Sequence, residues 1–391
     1  MRILFLTQFC QPEPMFKAIP FARELARLGH EVEILTGFPN YPGGKVYPGY
    51  RVRLYQREII EGITVHRVPL FPSHGSSKLG RVLNYISFAV STSILGPVLV
   101  RRADVTYVYH PPATVGLPAL ALKLMRGIPF VYDIQDLWPD TLRATGMVHG
   151  SLVLRVVAWW CKLVYRHASR IVVLSPGFKR LLAERGVTPE KVDVIYNWAD
   201  TGQAERSEPD AELARELGLQ GRFNVLFAGN MGKAQGLGSV LEAAALVSQT
   251  LPSVQFVLIG GGVEADALRE RAKQLSLTNV RFLARRSPSD IGPVLALADV
   301  LLVHLKDDPL FEVTVPSKTQ AYLAGGKPIL MAVRGDAAEL VLRAGAGMTC
   351  SPEQPASIAA AVTEIYQMTP TMRRVLGERG RTFYESELSI K

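Results

Sequence analysis

Residues 223–237, FNVLFAGNMGKAQGL, decide how this chain is read. Val225, Leu226 and Phe227 form the centre of an apolar run that reads as a buried strand. Gly229, Gly232 and Gly236 break that run, and Gly238-Ser-Val-Leu-Glu-Ala-Ala-Ala then opens a helix. Glycine lets a backbone turn tightly and approach a ligand closely. A helix N-terminus adds N–H groups and the positive end of a dipole. With Lys233 inside it, this loop has the composition of an anion site. A glycine-rich strand-to-helix connection is common in any α/β protein, however, so the context has to decide.

Working outward, the same strand–turn–helix theme recurs along the chain. Apolar, β-branched runs occupy residues 3–7, 32–36, 63–68, 105–109, 130–134, 171–174 and 192–196. The second half repeats it at 225–228, 255–259, 280–283, 300–303 and 328–332. Strands alternating with helices predict parallel sheets covered on both faces. At 391 residues the chain exceeds the growth limit of one core, which predicts two domains. The polar, charged segment 198–222 is the expected linker, giving domains at 1–200 and 201–370 and a terminal helix at 371–391 expected to pack back on the first domain. In such sheets ligands bind at the carboxyl ends of the strands.

Hydrophobic residues make up 48% and charged residues 20%, which excludes extensive disorder. Cys10, Cys161 and Cys350 lie too far apart for a metal knuckle or a disulfide framework, pointing to a reducing compartment. The N-terminal residues read as a first strand rather than a signal peptide, and the expectation is a cytoplasmic protein. A net charge of +9 favours anionic partners, yet no nucleic-acid module accompanies it. Instead, basic residues bracket apolar stretches at 82–100 and 152–173. Each is either a core helix with solvated flanks or a helix lying on a membrane surface.

Several loops could carry chemistry. Gly260-Gly261-Gly262 and Glu264 follow the second strand of the second half; Phe282 is followed by Arg285-Arg286-Ser287-Pro288, suited to a base or phosphate or to plain solvation. In residues 310–330, LFEVTVPSKTQAYLAGGKPIL, Pro316 and Ser317 start a helix, which places Lys318 near its positive end and Glu312 in the loop before it. Two lysine-bearing loops suit a pyrophosphate. In the first half, residues 8–17 with Glu13 and Lys17, His110-Pro111-Pro112, and the loop carrying Gln135, Asp136 and Asp140 occupy equivalent places. Asp136 and His110 are the candidates there for moving a proton. A structural histidine and a helix-capping aspartate remain open readings.

Taken in order, these residues resemble the family 4 glycosyltransferases. The marks are Gly29-His30-Glu31-Val32, Gln135-Asp136-Leu-Trp-Pro139, Leu174-Ser175-Pro-Gly177, Val194-Ile-Tyr-Asn197-Trp-Ala-Asp200, Phe227-Ala-Gly229, Ala298-Asp299-Val-Leu-Leu302 and Ala324-Gly-Gly326-Lys-Pro328. The wording GNMGKAQGL with VPSKTQAYLAGGKPIL is similar to the branch that includes L-fucosamine transferases of O-antigen and capsule assembly. The resemblance implies a GT-B fold, two doubly wound Rossmann-like domains facing a central cleft. It also implies transfer from a nucleotide sugar with retention and without an obligatory metal. The chain departs from the family in places. Asn230 and Gln235 stand where arginine and lysine are common, with Lys233 between them, and Gln135 replaces a frequent histidine. Of two family glutamates with seven residues between them, the second falls on Ala321, while Glu312 and Gln320 keep the spacing one step earlier.

On this resemblance Lys233, Lys318, Glu312 and Asp136 are the expected catalytic group. Gly229, Asn230, Gly232, Gln235, Gly260, Gly261, Phe282, Arg285, Ser317 and Gln320 are expected to bind the donor. Glu13, Lys17, His110 and Gln135 are expected on the acceptor side. No cofactor is expected beyond a UDP-sugar acting as donor, and the expected partners are a polyprenyl-diphosphate-linked acceptor and the cytoplasmic face of the inner membrane. A non-hydrolysing UDP-sugar epimerase and a nucleotide-binding, membrane-associated protein without transfer activity are the alternatives. A dinucleotide dehydrogenase fits poorly, because residues 229–236 do not spell its glycine fingerprint.

Overall fold

The computed structural model describes residues 1–14, 17–73, 78–100, 102–144, 150–199, 208–287 and 290–391. Asp200, the linker residues 201–207, Arg101 and Pro288 lie outside the described residues. The chain forms two compact units, one of residues 1–174, 178–195 and 390–391, the other of 175–177 and 196–389.

In the first unit, β1 (Arg2–Thr7), β2 (Glu31–Gly37), β3 (Gln56–Ile60), β4 (Ile63–Val68), β5 (Val105–Tyr109), β6 (Phe130–Ile134), β7 (Arg170–Val173) and β8 (Val192–Val194) form one sheet. Their order is β3-β4-β2-β1-β5-β6-β7-β8, parallel except for the β3–β4 pair. β3 has no counterpart among the expected strands. It is joined to β4 by Glu61 and Gly62, both at positive φ, a two-residue hairpin turn that an isolated Glu-Gly does not announce.

In the second unit, β9 (Phe223–Asn230), β10 (Val254–Gly261), β11 (Val280–Leu283), β12 (Val300–His304), β13 (Ile329–Ala332) and β14 (Gly347–Thr349) are all parallel, in the order β11-β10-β9-β12-β13-β14. Side chains alternate across a strand, and both faces are covered. Val225, Phe227, Phe256 and Leu258 enter one core layer; Leu226, Val257, Leu301 and Ile329 enter the other. The edge strand β14 was also not expected, being three residues long and starting on a glycine. The chain order reverses where β12 joins β9, so the carboxyl ends of these two strands form the natural ligand position of this sheet.

The terminal helix Pro370–Phe383 belongs to the second unit, where it packs against the Ser317–Gly325 helix and β14, while residues 390–391 are grouped with the first unit. Two glycines permit this contact. A Cβ at Gly377 would lie 2.1 Å from the Gly326 carbonyl oxygen, and one at Gly380 would lie 2.9 Å from the Ala346 Cβ.

Candidate functional site

At the end of β9 the register pairs Ala228, Gly229 and Asn230 with Ile259, Gly260 and Gly261. Here a cavity of about 410 Å³ is lined by Gly229, Asn230, Gln235, Ser317 and Lys318 together with the apolar Ile291, Leu295, Leu305 and Phe311. Lys318 sits in the first turn of the Ser317–Gly325 helix. Its ammonium is buried, has no hydrogen-bond partner among the described residues, and lies 3.6 Å from the centroid of the Phe227 ring. A Cβ on Gly229 would approach that Nζ to 3.2 Å, so glycine leaves the lysine its place. Burial pushes the lysine down from 10.5 to about 7. A buried, unpaired cation is costly, and an anion beside it removes that cost.

Tyr322, one turn further along the helix, accepts the Ala228 N–H at 2.8 Å and fixes the strand end beneath the lysine. The glycine loop folds into a 3₁₀ turn, Lys233–Gln235, that delivers Gln235 to the cavity wall before the Gly238–Thr250 helix begins.

Other expected donor residues are placed elsewhere. Lys233 is exposed and does not line the cavity. Glu312 is exposed too. Gln320 is buried, and its amide nitrogen, oriented by hydrogen bonding, donates to the carbonyls of Pro316 and Ser317 at 3.0 and 3.1 Å. Gly232 gives its N–H to the Gln235 side chain at 3.0 Å. Gly260 and Gly262 serve backbone packing: Cβ atoms there would meet the Gly229 and Met231 carbonyl oxygens at 1.9 and 2.5 Å. Gly261 accepts the Met231 N–H across the same seam. Phe282 faces Arg269 at 5.6 Å, Arg285 is exposed, and neither lines the cavity.

Three of the expected acceptor-side residues make hydrogen bonds or ion pairs within the first unit. Glu13 accepts the backbone N–H groups of Cys10, Asn40 and Tyr41 at 2.8–2.9 Å, fastening the loop after β1 to the loop after β2. Lys17 forms a fully buried ion pair with Asp133 at 2.7 Å, and Gln135 and Tyr107 donate to the same carboxylate at 2.6 and 2.7 Å. His110 is buried, and burial pushes its pKa down to about 3, favouring the neutral ring. Asp136 keeps the character of a proton acceptor. Burial raises its carboxyl, and Tyr85 and Tyr109 lie within electrostatic reach.

Two side chains are not among the expected site residues, Tyr322 and His304 at the end of β12. His304 carried a signal, a polar residue closing an apolar strand. Among the described residues no three His, Cys, Asp or Glu side chains converge as a metal set.

The comparisons agree with this geometry. Residues 20–198 match the model of a glycosyl transferase 4-like domain and residues 210–383 that of the glycosyl transferases group 1. The chain is 27% identical over 303 residues to the protein named glycosyltransferase WbjE of Pseudomonas aeruginosa, covering 76% of this chain and 75% of that protein. It is 29% identical over 324 residues to the protein named colanic acid biosynthesis glycosyl transferase WcaI of Escherichia coli K12, covering 79% and 77%. Among solved structures, sucrose-phosphate synthase from Thermosynechococcus elongatus superposes with a TM-score of 0.72 at 16% identity, over 99% of this chain and 95% of that one. Anabaena HepE in complex with UDP-glucose gives 0.71 at 19% identity, over 100% and 96%. With its two Rossmann-like units matched in turn by a glycosyl transferase 4-like domain and a group 1 domain, the chain belongs to the glycosyltransferases of the GT-B fold.

Proposed function

We propose that this enzyme moves a sugar, N-acetyl-L-fucosamine by its branch resemblance, from a UDP-sugar to a polyprenyl-diphosphate-linked saccharide in surface-polysaccharide assembly, with retention and without a metal. The observation that carries the reading is the buried ammonium of Lys318, without a hydrogen-bond partner among the described residues, in a cavity beside Gly229 at the switch point of a nucleotide-type sheet. When the sugar–phosphate bond breaks, negative charge grows on the departing diphosphate. A preorganised cation in a dry site stabilises that charge without reorganisation. The bond to the anomeric carbon passes to the acceptor oxygen, and the acceptor's proton goes to the leaving phosphate, with Asp136 available to orient the acceptor hydroxyl. The names of the relatives support the polysaccharide setting, and the HepE complex supports a uridine nucleotide.

The acceptor side of the reading draws on three helices of the first unit. Lys78–Leu99, Gly116–Arg126 and Ser151–His167 contain lysine and arginine but no aspartate or glutamate. The first is long and apolar enough by length and composition to cross a membrane, but it packs on the sheet and is one-third buried. Leu83, Ile86, Val90, Ile94 and Val98 stay exposed along it, as do Leu152, Val156 and Trp159 on the third helix. Apolar side chains among cations suit an anionic lipid surface at the cytoplasmic face of the inner membrane.

A thermal-shift panel of UDP, GDP, ADP and NAD, with and without EDTA, tests the donor site. A UDP-specific shift that EDTA leaves in place is the expected result; a shift with NAD alone would sink the reading. Turnover of a UDP-sugar without any acceptor would point to the epimerase instead.

A further inference from the structure

The wall of the donor cavity formed by Ala234 and Gln235 is not held by its own turn alone. His304, the last residue of β12, is fully buried directly behind it. Its Nδ1 lies 2.7 Å from the Gln235 carbonyl oxygen. On the other side of the ring, Nε2 receives the backbone N–H of Glu353 at 3.2 Å and lies 3.1 Å from the Ser239 hydroxyl. A backbone N–H can only donate, so Nε2 must be the acceptor and the proton resides on Nδ1, donating to Gln235. This tautomer is set by the surrounding bonds.

The loop is fastened at a second point, where the Lys306 N–H donates to the Ala234 carbonyl at 2.9 Å. Two successive carbonyls are thereby drawn towards the end of β12. That direction matters because a carbonyl oxygen turned into the cavity would present negative charge to a diphosphate, close to the lysine meant to receive it. Glu353 is itself anchored: it adopts a left-handed φ of 53°, and its carboxylate accepts the Asp307 N–H at 2.8 Å. One imidazole thus joins three segments, the glycine loop, the start of the Gly238–Thr250 helix and the loop before the Pro355–Gln367 helix. Gly236 has to be small for the ring to fit, since a Cβ there would lie 3.2 Å from His304 Cε1.

We infer that His304 is a positioning residue for the donor, which in its neutral Nδ1–H form holds the Gln235 carbonyl out of the anion site and keeps the cavity wall in its binding shape. The inference rests on the nucleotide-sugar reading of the cavity. Protonation of Nε2 would set two donors, the ring N–H and the Glu353 N–H, against each other. The loop tie and the Glu353 tie cannot then both persist. The charged groups around the ring are Glu353, which favours the protonated form, and Lys318, which opposes it, with the Lys306 side chain passing Gly236; burial is the largest influence and keeps the ring neutral. Acid should therefore weaken donor binding as pH falls below the ordinary histidine range.

The test is the affinity of the full chain for UDP-glucose, whose esterified diphosphate stays ionised throughout, measured by calorimetry from about pH 8 to about pH 5. Three proteins are compared, the wild type, His304→Ala and His304→Asn, each with its melting curve. Asparagine can supply an N–H where Nδ1 stood but cannot be protonated. The expected result is binding about tenfold or more weaker in His304→Ala, binding within about threefold of wild type in His304→Asn at pH 8, and loss of the acid limb in His304→Asn. Affinity in His304→Ala within twofold of wild type (~0.4 kcal/mol) would overturn the role. An acid limb that persists in His304→Asn would overturn it equally, and can be read even where the alanine variant fails to fold. A wild type that binds no nucleotide at any pH overturns the functional reading beneath it, a result distinct from both.

Discussion

Two lysines with buried ammonium groups stand at helix starts, one in each unit, and have opposite circumstances. Lys17, in the first unit, is tied to Asp133 at 2.7 Å, and Tyr107 and Gln135 complete the carboxylate's bonding. Lys318, in the second, has an aromatic ring for a neighbour and no hydrogen bond among the described residues. A buried charge with its partners in place holds the scaffold. One kept without partners stands ready for a ligand. Burial alone therefore does not separate structural from functional charge; the state of the bonding does.

Breaking the first lysine should cost the most. Lys17→Met strands Asp133 as a buried, uncompensated carboxylate and is expected to lower unfolding free energy by about 3–5 kcal/mol, read from denaturant melts. A variant as stable as wild type would remove the distinction drawn here. Lys318→Met should behave in the opposite way. It relieves a buried charge, so stability should hold or rise, while the rate of sugar transfer falls by about 10²–10³-fold. Loss of folding with retained specific activity would reverse the assignment.

Protonation sharpens the contrast. Lys318 is depressed from 10.5 to about 7 in the folded chain, so the empty protein loses stability as pH falls through that window and loses no more below it. A bound diphosphate stabilises the charged form. Binding UDP at pH 8 should therefore take up roughly one proton, measured by calorimetry in buffers of different ionisation enthalpy, and Lys318→Met should abolish the uptake. Gly260→Ala tests the seam beneath the site. Its Cβ would stand 1.9 Å from a carbonyl oxygen at a φ of 139°, and a loss of about 1–3 kcal/mol is expected. Smallest of all should be Lys233→Ala, an exposed position, whose turnover is expected within about threefold of wild type. A loss of orders of magnitude would place that lysine on the donor after all.

Much of this arrangement was legible beforehand. The alternation of β-branched runs and helices gave both sheets, because long apolar runs bounded by glycine and proline have few other uses. β3 and β14 escaped because one relies on an unmarked two-residue turn and the other is a three-residue edge. Lys318 was found because Pro-Ser-Lys after a loop marks a helix start. Glu13, Lys17 and Gln135 lie in the loops expected of them, and the bonds they make there were not legible. A loop position is local information, whereas the partner that occupies Lys17 lies 116 residues away. Ser239 and Glu353, the contacts that give His304 its meaning, lie 65 and 49 residues away.

The terminal helix has a consequence for how the enzyme is made. Gly377 backs onto the Gly326 carbonyl, and the Tyr384 hydroxyl accepts the Ala199 N–H at 3.2 Å. Both contacts come from residues beyond 370, far along the chain from the sheet they complete. Domains generally fold as units, N-terminal first, during synthesis. The first unit can assemble its sheet while the ribosome is still at work, but the donor-binding half becomes complete only after residues 377–384 have left the exit tunnel. Nascent chains should therefore gain a working donor site only once those residues have emerged.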